Sequence, residues 1–522
     1  MPSKTDYPFS TFYEMIVHHA RKRGRKSALF VDDEKISYKE VLAHADKLAS
    51  VLVQKGVKRG DRVALLLRNS PEFVYSIFAI SKIGAIIVPV NTFLKEEEVS
   101  YILKDSGASL LIASWQYRSV ADASLVREAC KEIIWEGEEA TPVRSGDLCF
   151  SSLASAVDTP TDMSAPCTLD DTAVIIYTSG TTGRPKGAML SYRNVLSNTE
   201  SGRRTINVTA RDRAIVFLPM FHTFTFSIGV MLPLYVGASI VIIRSIQPFS
   251  NIFKQVLLKR VTVFFGIPDV YNALAKAKLP WYFMWFNRIR AFISGAAALQ
   301  QKTLDAMAKK FKRATLLEGY GLSEASPAVC MNTFEKQKVG SVGTALYGYE
   351  MKIVNEEMEE LPRGKIGDII VRGDNVMQGY WQRPEATAET IINGWLLTGD
   401  MGYMDEEGFL FIVDRKKDLI ISKGINIYPR EIEEVIDNFS GVSASAVVGV
   451  SDEKSGEIPV AYIELEEGEE KLDEAALRKH MRAHLANYKL PKHLYVVESL
   501  PKNATGKVLK RVLKEQLQNQ QR

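Results

Sequence analysis

The sequence is poor in cysteine, and its cysteines are far apart. Four occur among 522 residues, and no two of them have Cys-X-X-Cys spacing. This pattern argues against a zinc site and indicates packed thiols in a reducing compartment. The four are Cys130, Cys149, Cys167 and Cys330.

An excess of charge of either sign is also lacking. The chain has 66 Lys and Arg against 62 Asp and Glu, so its formal net charge at pH 7 is +4. So small a charge favours neither nucleic acid nor an anionic membrane as a partner of the whole chain, although a local basic patch is compatible with it.

No targeting segment is evident. The start, MPSKTDYPFSTFYEM, has neither a basic-then-apolar pattern nor a small-residue cleavage site, so we expect no signal peptide and a cytoplasmic location. The run Ala214–Ile243 contains no charged residue and is long enough to cross a membrane as a helix. Because Pro219, His222, Pro233 and Gly237 interrupt it, we predict a buried strand, turn, helix and strand instead.

Helix and strand patterns alternate through most of the chain. After Ser37, apolar residues recur at helical spacing, and the run RVALLL then has the pattern of a buried strand. Similar pairs follow up to residue 114, and the alternation resumes after YTSGTTGRPKG with VTVFFG as a strand and LQQKTLDAMAKKF as a helix. The alternation predicts an α/β fold with a mainly parallel sheet and crossover helices.

The pattern changes twice in the second half. From about residue 338, short β-type runs such as MKIV, GDIIVRG and FLFIV predict an antiparallel, β-barrel-like subdomain. From Arg415 the sequence becomes a small, charge-dense unit of helices and strands. We therefore predict a large N-terminal domain over residues 1–414, with stacked mixed and parallel sheets and flanking helices. A small, mobile α+β C-terminal domain is predicted over residues 415–522.

The segment Tyr177–Gly187, YTSGTTGRPKG, follows a β-branched apolar run. A strand that leads into a Gly/Thr-rich turn presents backbone N–H groups and hydroxyls to a phosphate, and Lys186 adds a positive charge. The segment is not a P-loop, because Gly180 is followed by TTGRPKG rather than by Gly-Lys-Ser/Thr at the required spacing. Taken alone, such a segment is more typical of a solvated, flexible turn.

Three other motifs accompany it: EGYGLSE, which ends at Glu324, WLLTGD, which places Asp400 after a Thr-Gly turn, and PKNATGK, which supplies Lys507. Taken singly, Glu324 is typical of a surface acid, Asp400 of a turn cap and Lys507 of a solvated lysine. Together with YTSGTTGRPKG they resemble, in order and spacing, the adenylate-forming enzymes, and the resemblance covers essentially the whole chain. GYGLSEASP and VDRKKDLIISKGINIYPREIEE look most like bacterial long-chain fatty acid–CoA ligases.

The resemblance implies a site for ATP and Mg²⁺. The 178–187 loop would hold the β- and γ-phosphates, with Lys186 as a charged clamp. Glu324, with Thr181 or Thr178, would bind Mg²⁺, because a hard cation takes oxygen ligands.

The resemblance also implies how the nucleoside is held. Tyr320 would stack on adenine, and Asp400, with Arg415 beside it, would accept hydrogen bonds from the ribose hydroxyls. Ser323 stands where the family more often has Thr, and serine also carries a hydroxyl group. The implied ATP and AMP residues are Thr178, Ser179, Gly180, Thr181, Thr182, Gly183, Lys186, Gly295, Ala296, Ala297, Glu318, Gly319, Tyr320, Gly321, Ser323, Asp400, Ile412, Arg415 and Lys507.

The implied reaction has two halves. A carboxylate attacks the α-phosphate of ATP to give acyl-AMP and pyrophosphate, and the thiol of CoA then displaces AMP. The implied catalytic residues are Lys507, Lys186 and His222. Between the halves the C-terminal domain would rotate about Lys417, which removes Lys507 and brings Lys423 and Gly424 to CoA; an ordinary helix-edge role for Lys417 stays open.

The substrate is expected to be a fatty acid of long or medium chain. In LPMFH, His222 stands where amino-acid-activating relatives usually have Asp, so the α-amino group of an amino acid would have no partner there. An ordinary packed histidine is the alternative interpretation of His222. An aryl or other carboxylic acid is the alternative substrate. The implied acyl-pocket residues are Phe221, His222, Phe226, Phe265, Gly266 and Ala325.

An alternative of another class is a non-catalytic fatty-acid-binding or uptake accessory. A binder would not need the full set of charged site residues, which argues against this alternative. The expected partners are small-molecule substrates, and no nucleic acid is expected to bind. We expect the protein to be a monomer or a homodimer. An apolar substrate is also compatible with peripheral membrane contact, although we find no dedicated anchor in the sequence.

Overall fold

The structure is a computed structural model of the chain. It describes residues 7–137, 139, 141–155, 167–178, 184–245, 249–295, 299–422, 425–452, 455–466, 468–469, 471–502 and 506–520.

Helices occur along the whole described chain. In order they are α1 Phe12–Arg23, α2 Tyr38–Gln54, α3 Pro71–Lys82, α4 Glu96–Ser106, α5 Arg118–Ala121, α6 Ser124–Ala129, α7 Tyr192–Ile206, α8 Leu232–Tyr235, α9 Ser250–Leu258, α10 Pro268–Lys276, α11 Trp281–Phe286, α12 Gln301–Lys310, α13 Pro384–Thr390, α14 Pro429–Asp437, α15 Glu474–His484 and α16 Lys510–Gln520. A π-helical segment, Thr225–Met231, precedes α8.

The strands alternate with these helices. In order they are β1 Ser27–Val31, β2 Glu34–Ser37, β3 Arg62–Leu66, β4 Ile86–Pro89, β5 Ala108–Ser114, β6 Ile133–Glu136, β7 Leu148–Cys149, β8 Thr172–Thr178, β9 Lys186–Ser191, β10 Arg213–Val216, β11 Ser239–Ile242, β12 Val263–Gly266, β13 Ala291–Ser294, β14 Thr315–Gly321, β15 Ala328–Met331, β16 Thr344–Ala345, β17 Glu350–Val354, β18 Gly367–Arg372, β19 Gly379–Tyr380, β20 Ile391–Ile392, β21 Trp395–Met404, β22 Leu410–Arg415, β23 Ile420–Ser422, β24 Ile425–Ile427, β25 Val442–Asp452, β26 Gly456–Leu465 and β27 His493–Val497.

Helix α2 shows how local sequence sets these elements. Its N-cap, Ser37, accepts a hydrogen bond from the backbone N–H of Glu40, and the Glu40 carboxylate accepts one from the N–H of Ser37. This capping box satisfies N–H groups that the first turn leaves without partners. Of the residues at helical spacing, Val41, Ala45, Leu48, Ala49 and Leu52 are fully buried, and Leu42 is partly buried against the same core.

Two large sheets form the N-terminal part. Within the described residues the first has nine strands in the order β16-β15-β14-β13-β12-β10-β11-β1-β2, parallel from β14 to β1. The second has eight described strands in the order β19-β9-β8-β4-β3-β5-β6-β7. The largest apolar cluster draws on both sheets and on α1, α2, α3 and α7. The α/β fold expected from the alternation is confirmed.

The uncharged run folds as predicted. It contributes the last three residues of β10, the π-helical segment 225–231, α8 and β11, all of them buried. In the part of the chain that the structure describes, no helix is long and apolar enough to cross a membrane.

Two smaller sheets follow. Strands β17, β18, β20, β21 and β22 pair antiparallel, and β23 to β27 form a sheet that α14, α15 and α16 accompany. Polar contacts join this last unit to the rest, since Gln300 Nε2 donates to Asp437 Oδ2 at 3.2 Å and the Lys276 and Glu466 side chains pair at 3.1 Å. The domain boundaries at residues 338 and 415 stay predictions.

Candidate active site

The hairpin of β8 and β9 carries both ends of YTSGTTGRPKG. Thr178, the last residue of β8, pairs with Lys186, the first residue of β9. Gly187 lets the strands approach, because a Cβ atom there would lie 2.6 Å from the Ile175 side chain. The motif residues Ser179, Gly180, Thr181, Thr182 and Gly183 lie outside the described residues.

Glu324 lies beside the hairpin and accepts two hydrogen bonds. The Thr178 hydroxyl donates to Glu324 Oε1 at 3.3 Å, and the Tyr380 hydroxyl donates to the same oxygen at 3.0 Å. The Lys186 ammonium lies 5.2 Å from the centre of the Tyr380 ring. Thr178 and Lys186 of one motif and Glu324 of another therefore meet around one tyrosine.

Tyr380 is a residue that the sequence reasoning missed. It lies in β19, a two-residue strand that pairs with β9 and so brings the phenol to Glu324. Burial raises the pKa of Tyr380 well above its usual value, so the hydroxyl remains a hydrogen-bond donor. The sequence signal is weak, because MQGYW contains only an aromatic residue after a glycine.

The Glu324 carboxylate and the Thr178 hydroxyl are oxygen ligands of the kind that a hard cation prefers. Among the described residues, no group of three or more His, Cys, Asp or Glu side chains is arranged to hold a metal ion. Because Mg²⁺ is commonly bound through one or two carboxylates together with substrate phosphates, such a group is not required. The residues present fit Mg²⁺ held jointly by protein and nucleotide.

A second cluster centres on Asp400. The Tyr320 hydroxyl donates to Asp400 Oδ2 at 2.5 Å, and Arg415 Nε lies 3.2 Å from Asp400 Oδ1. Asp400 and Arg415 are opposite each other in the antiparallel pair of β21 and β22, which places this ion pair. The predicted Thr-Gly turn before Asp400 is wrong: Gly399 lies inside β21, with a φ of +73° that favours glycine.

Lys507 comes from the C-terminal end and lies close to this cluster. The pKa of Lys507 is lowered to about 8, chiefly by burial and then by the Arg415 charge, and the Asp400 charge partly opposes both effects. The adjacent Gly506 packs on the start of α10, because a Cβ atom on it would lie 3.1 Å from Asp269 Oδ2. The motif lysine is therefore a half-buried cation close to the candidate ribose-binding acid.

The segment after Arg415 contains the predicted hinge. Lys417 lies in a 3₁₀ turn, Lys416–Asp418, and burial lowers its pKa. Lys416 pairs with Asp368 of β18 at 2.8 Å. The predicted CoA residues Lys423 and Gly424 lie outside the described residues.

Several predicted nucleotide residues have protein partners of their own. Glu318 accepts a hydrogen bond from the Leu299 N–H at 3.3 Å, and burial raises the pKa of its carboxyl to about 7. The Thr223 hydroxyl donates to Ser323 Oγ at 2.8 Å and so connects the uncharged run to EGYGLSE. Gly319 and Gly321 lie in β14 and Ile412 in β22, Gly295 follows β13, and Ala296 and Ala297 lie outside the described residues.

His222 lies in the uncharged run as a neutral imidazole. Its Nδ1 accepts a hydrogen bond from the Phe224 N–H at 3.3 Å, which assigns the proton to Nε2. Burial lowers the pKa of His222 to about 4. At neutral pH this side chain offers an N–H donor and no positive charge.

The candidate acyl-pocket aromatics do not all lie together. The Phe221 ring lies 6.3 Å from that of Phe93, which is 68% exposed, and Phe265 meets Phe224 edge to face at 6.2 Å. Phe226 is fully buried in the main core, 6.3 Å from the Phe12 ring. Gly266 ends β12 and Ala325 is buried; the acyl-pocket roles of all these residues stay predictions.

The comparisons with known proteins identify the family of the chain. The family model described as AMP-binding enzyme matches residues 16–381, and that of the AMP-binding enzyme C-terminal domain matches residues 431–507. A feruloyl-CoA synthase of Amycolatopsis sp is 34% identical, over 95% of this chain and 96% of that protein. A long-chain-fatty-acid–CoA ligase of Bacillus subtilis is also 34% identical, over 99% of this chain and 97% of that protein.

A solved structure is similar over the same extent. The anthranilate CoA ligase AuaEII in complex with anthranoyl-AMP superposes with a TM-score of 0.90 at 28% identity, covering 99% of both chains. The hairpin that carries Thr178 and Lys186, the Asp400 cluster and Lys507 thus occur in a chain that matches the family along almost its whole length. The chain therefore belongs to the AMP-binding enzyme family, as an AMP-forming acyl-CoA synthetase that uses ATP, CoA and Mg²⁺.

Proposed function

We propose that the acid this enzyme activates is a fatty acid of medium or long chain. The observation that carries the proposal is the uncharged run 214–243, which folds against the site through the Thr223–Ser323 hydrogen bond. A second charge on the substrate, buried beside this run, would lack a partner there, and an unpaired buried charge is costly. This favours an acid with one carboxylate and an apolar remainder.

The first half-reaction needs charge neutralisation more than proton transfer. A carboxylate is already a nucleophile, so the neutral His222 is suited to donate a hydrogen bond rather than to act as a base. Lys507 and Lys186 would stabilise the charge that develops on the phosphates. When bound, Mg²⁺ would supply further neutralisation at the phosphates, held by Glu324 and Thr178.

The Asp400 cluster would orient the nucleoside. Tyr320 and Arg415 each engage one oxygen of Asp400, so the carboxylate is fixed before ribose arrives. A fixed acceptor loses little freedom on binding, which favours one position of the α-phosphate relative to Lys507. For the second half-reaction, we propose rotation of the C-terminal unit about Lys417.

An aryl acid is the second candidate, and one observation favours it. Phe226, one of the acyl-pocket residues that the resemblance implies, packs in the main core against Phe12. A pocket that ended in front of this aromatic pair would suit a compact acid. The feruloyl-CoA synthase of Amycolatopsis sp is as similar in identity as the fatty-acid ligase of Bacillus subtilis.

A pyrophosphate-release panel separates the two. Palmitate, octanoate, ferulate and benzoate are each incubated with enzyme and MgATP, with and without CoA, and pyrophosphate, AMP and thioester are measured. We expect sustained turnover with a fatty acid only when CoA is present. Turnover with ferulate or benzoate and none with either fatty acid would overturn the fatty-acid proposal.

A further inference from the structure

A group of large aromatic side chains lies on the surface, on the short helix α11. Trp281, Trp285 and Phe286 are 72%, 67% and 69% exposed, and Tyr282 is 46% exposed. We call these four residues the aromatic patch. Single exposed apolar residues are ordinary, but a contiguous group of this size marks an interaction surface.

The core holds the patch in place. Phe283, between the exposed residues, is buried and meets the Phe253 ring edge to face at 5.4 Å. Asn287 Nδ2 donates to the Phe283 carbonyl at 2.8 Å, and Arg313 Nη1 donates to the Trp285 carbonyl at 3.2 Å. The aromatic side chains are thus displayed by an anchored helix.

Basic residues surround the patch. Lys310 donates to the carbonyls of Leu274 and Ala275 at 2.9 and 2.7 Å, so the end of α10 and the end of α12 lie together. A cleft of about 180 Å³ separates α11 from the segment 310–314. The exposed basic residues that lie close to the patch in sequence or line this cleft are Lys276, Lys278, Arg288, Lys312 and Arg313, whereas Arg290 pairs with Asp212 and Lys302 donates to the Asp437 carbonyl.

We infer that the aromatic patch and its basic border dock on an anionic phospholipid bilayer. Trp and Tyr have an apolar body and a polar edge that suit the headgroup region, and Phe enters the acyl boundary. Lys and Arg beside them are attracted to anionic headgroups. The net charge of the whole chain conceals this local charge, because acids elsewhere balance it.

A second copy of the chain is a poorer occupant of this surface. In a two-fold dimer the same patch would face itself, which would bring the basic borders of both copies together. Like charges at a contact oppose association, whereas an anionic bilayer complements them. Of the border residues, Lys276 already pairs with Glu466, so Arg288 and Lys312 are the better choices for substitution.

Vesicle flotation of the full chain tests the inference. Vesicles of phosphatidylcholine and phosphatidylglycerol in equal parts are compared with vesicles of phosphatidylcholine alone. We expect binding to the mixed vesicles that weakens with salt. The double variant Trp281→Ala/Trp285→Ala should lower the partition coefficient by about tenfold or more, and Arg288→Glu/Lys312→Glu by about fivefold or more per residue.

Matched controls use exposed residues outside the patch. Val339→Ala/Val496→Ala controls for loss of apolar surface, and Lys35→Glu/Lys365→Glu controls for reversed charge; both should bind as the unmodified chain does. All variants should keep its thermal unfolding transition. Because Trp variants can also fail to fold, quenching of the unmodified chain's tryptophan fluorescence by brominated lipid is measured independently and should occur.

Two outcomes would overturn the inference. One is that the unmodified chain neither floats with the mixed vesicles nor is quenched by brominated lipid. The other is that sedimentation shows a dimer that the patch variants dissociate, while vesicle binding is the same in all variants; the patch would then be a dimer interface. Neither outcome depends on which acid the enzyme activates.

Discussion

Lys507 combines burial with a position beside both Arg415 and Asp400. Burial and the Arg415 charge lower its pKa to about 8, against 10.5 for an ordinary lysine. We propose that the phosphates of ATP, when bound, offset the cost of keeping the ammonium charged in this place. The lowered pKa and the position beside Asp400 are consistent with a role in binding an anionic ligand.

Removal of the Lys507 charge should separate the two half-reactions. Lys507→Ala should lower acyl-AMP formation by about 10²–10³, the usual effect of removing one transition-state donor. Thioester formation from added acyl-AMP should survive, because pyrophosphate has already left. Single-turnover assays of each half measure this, and equal losses in both halves would refute the assignment of Lys507 to the first.

The pH dependence of the first half-reaction should follow Lys507. The ammonium is charged below pH about 8 and loses its proton above it. The kcat/KM for ATP should therefore fall as pH rises through about 8. Arg415 and Lys417 favour this deprotonation, and Asp400 and Asp418 oppose it.

Lys507→Arg is the matched control for this pH effect. A guanidinium stays charged across this pH range. In this variant kcat/KM for ATP should therefore stay constant as pH rises through about 8, even if its maximal rate is lower. The same alkaline decline in both proteins would assign the effect to another group.

Tyr380 should contribute through its hydroxyl and through its ring. Tyr380→Phe removes the hydrogen bond to Glu324 but keeps the ring beneath Lys186, and we expect kcat/KM for MgATP to fall about tenfold. Tyr380→Ala removes both contacts, so kcat/KM for MgATP should fall further in this variant. Initial-rate kinetics at varied Mg²⁺ check this, and unchanged kinetics in Tyr380→Phe would contradict a role for the hydroxyl.

At the scale of elements, short connections assemble the site. The hairpin of β8 and β9 brings together Thr178 and Lys186, and the two-residue strand β19 adds Tyr380. Antiparallel pairing of β21 with β22 places Asp400 opposite Arg415. We propose the 3₁₀ turn that follows Arg415 as the hinge, because it is the first segment after Asp400 and Arg415 and a rotation there would leave this pair in place.

Lys417→Pro tests the proposed hinge. Proline fixes one backbone dihedral, so rotation about this residue should be blocked while the geometry for the first half-reaction persists. Adenylation should continue and thioester formation should stop. Ala in place of Lys417 controls for loss of the charge, and a Pro variant that makes thioester normally would refute the hinge.

At the scale of the whole molecule, motifs and periodicity predicted more than aromatic spacing did. The helix α2, the uncharged run and the meeting of Thr178 with Glu324 follow from local pattern or from motif order. Tyr380 was missed because a two-residue strand has no periodicity and its partner is remote in sequence. For Phe226, spacing cannot tell whether a ring faces a pocket or the core.

The aromatic patch shows a related limit. WYFMWF reads as an ordinary apolar run, and only the packing of α11 reveals that four of its six side chains face solvent. Surface placement depends on the whole fold, because one buried ring, Phe283, sets the orientation of the helix. Whole-chain charge concealed the basic border for the same reason.

The dependence of kcat/KM on acyl chain length tests the central claim most directly. In an apolar tunnel each added methylene is worth about 0.8 kcal/mol, so four methylenes should raise kcat/KM by about two decades. Saturated acids of increasing length are compared with ferulate in a CoA-dependent assay of AMP release. The account predicts a steep rise with chain length up to the end of the tunnel, with ferulate far below the best fatty acid. A flat profile, or ferulate as the best substrate, would contradict it.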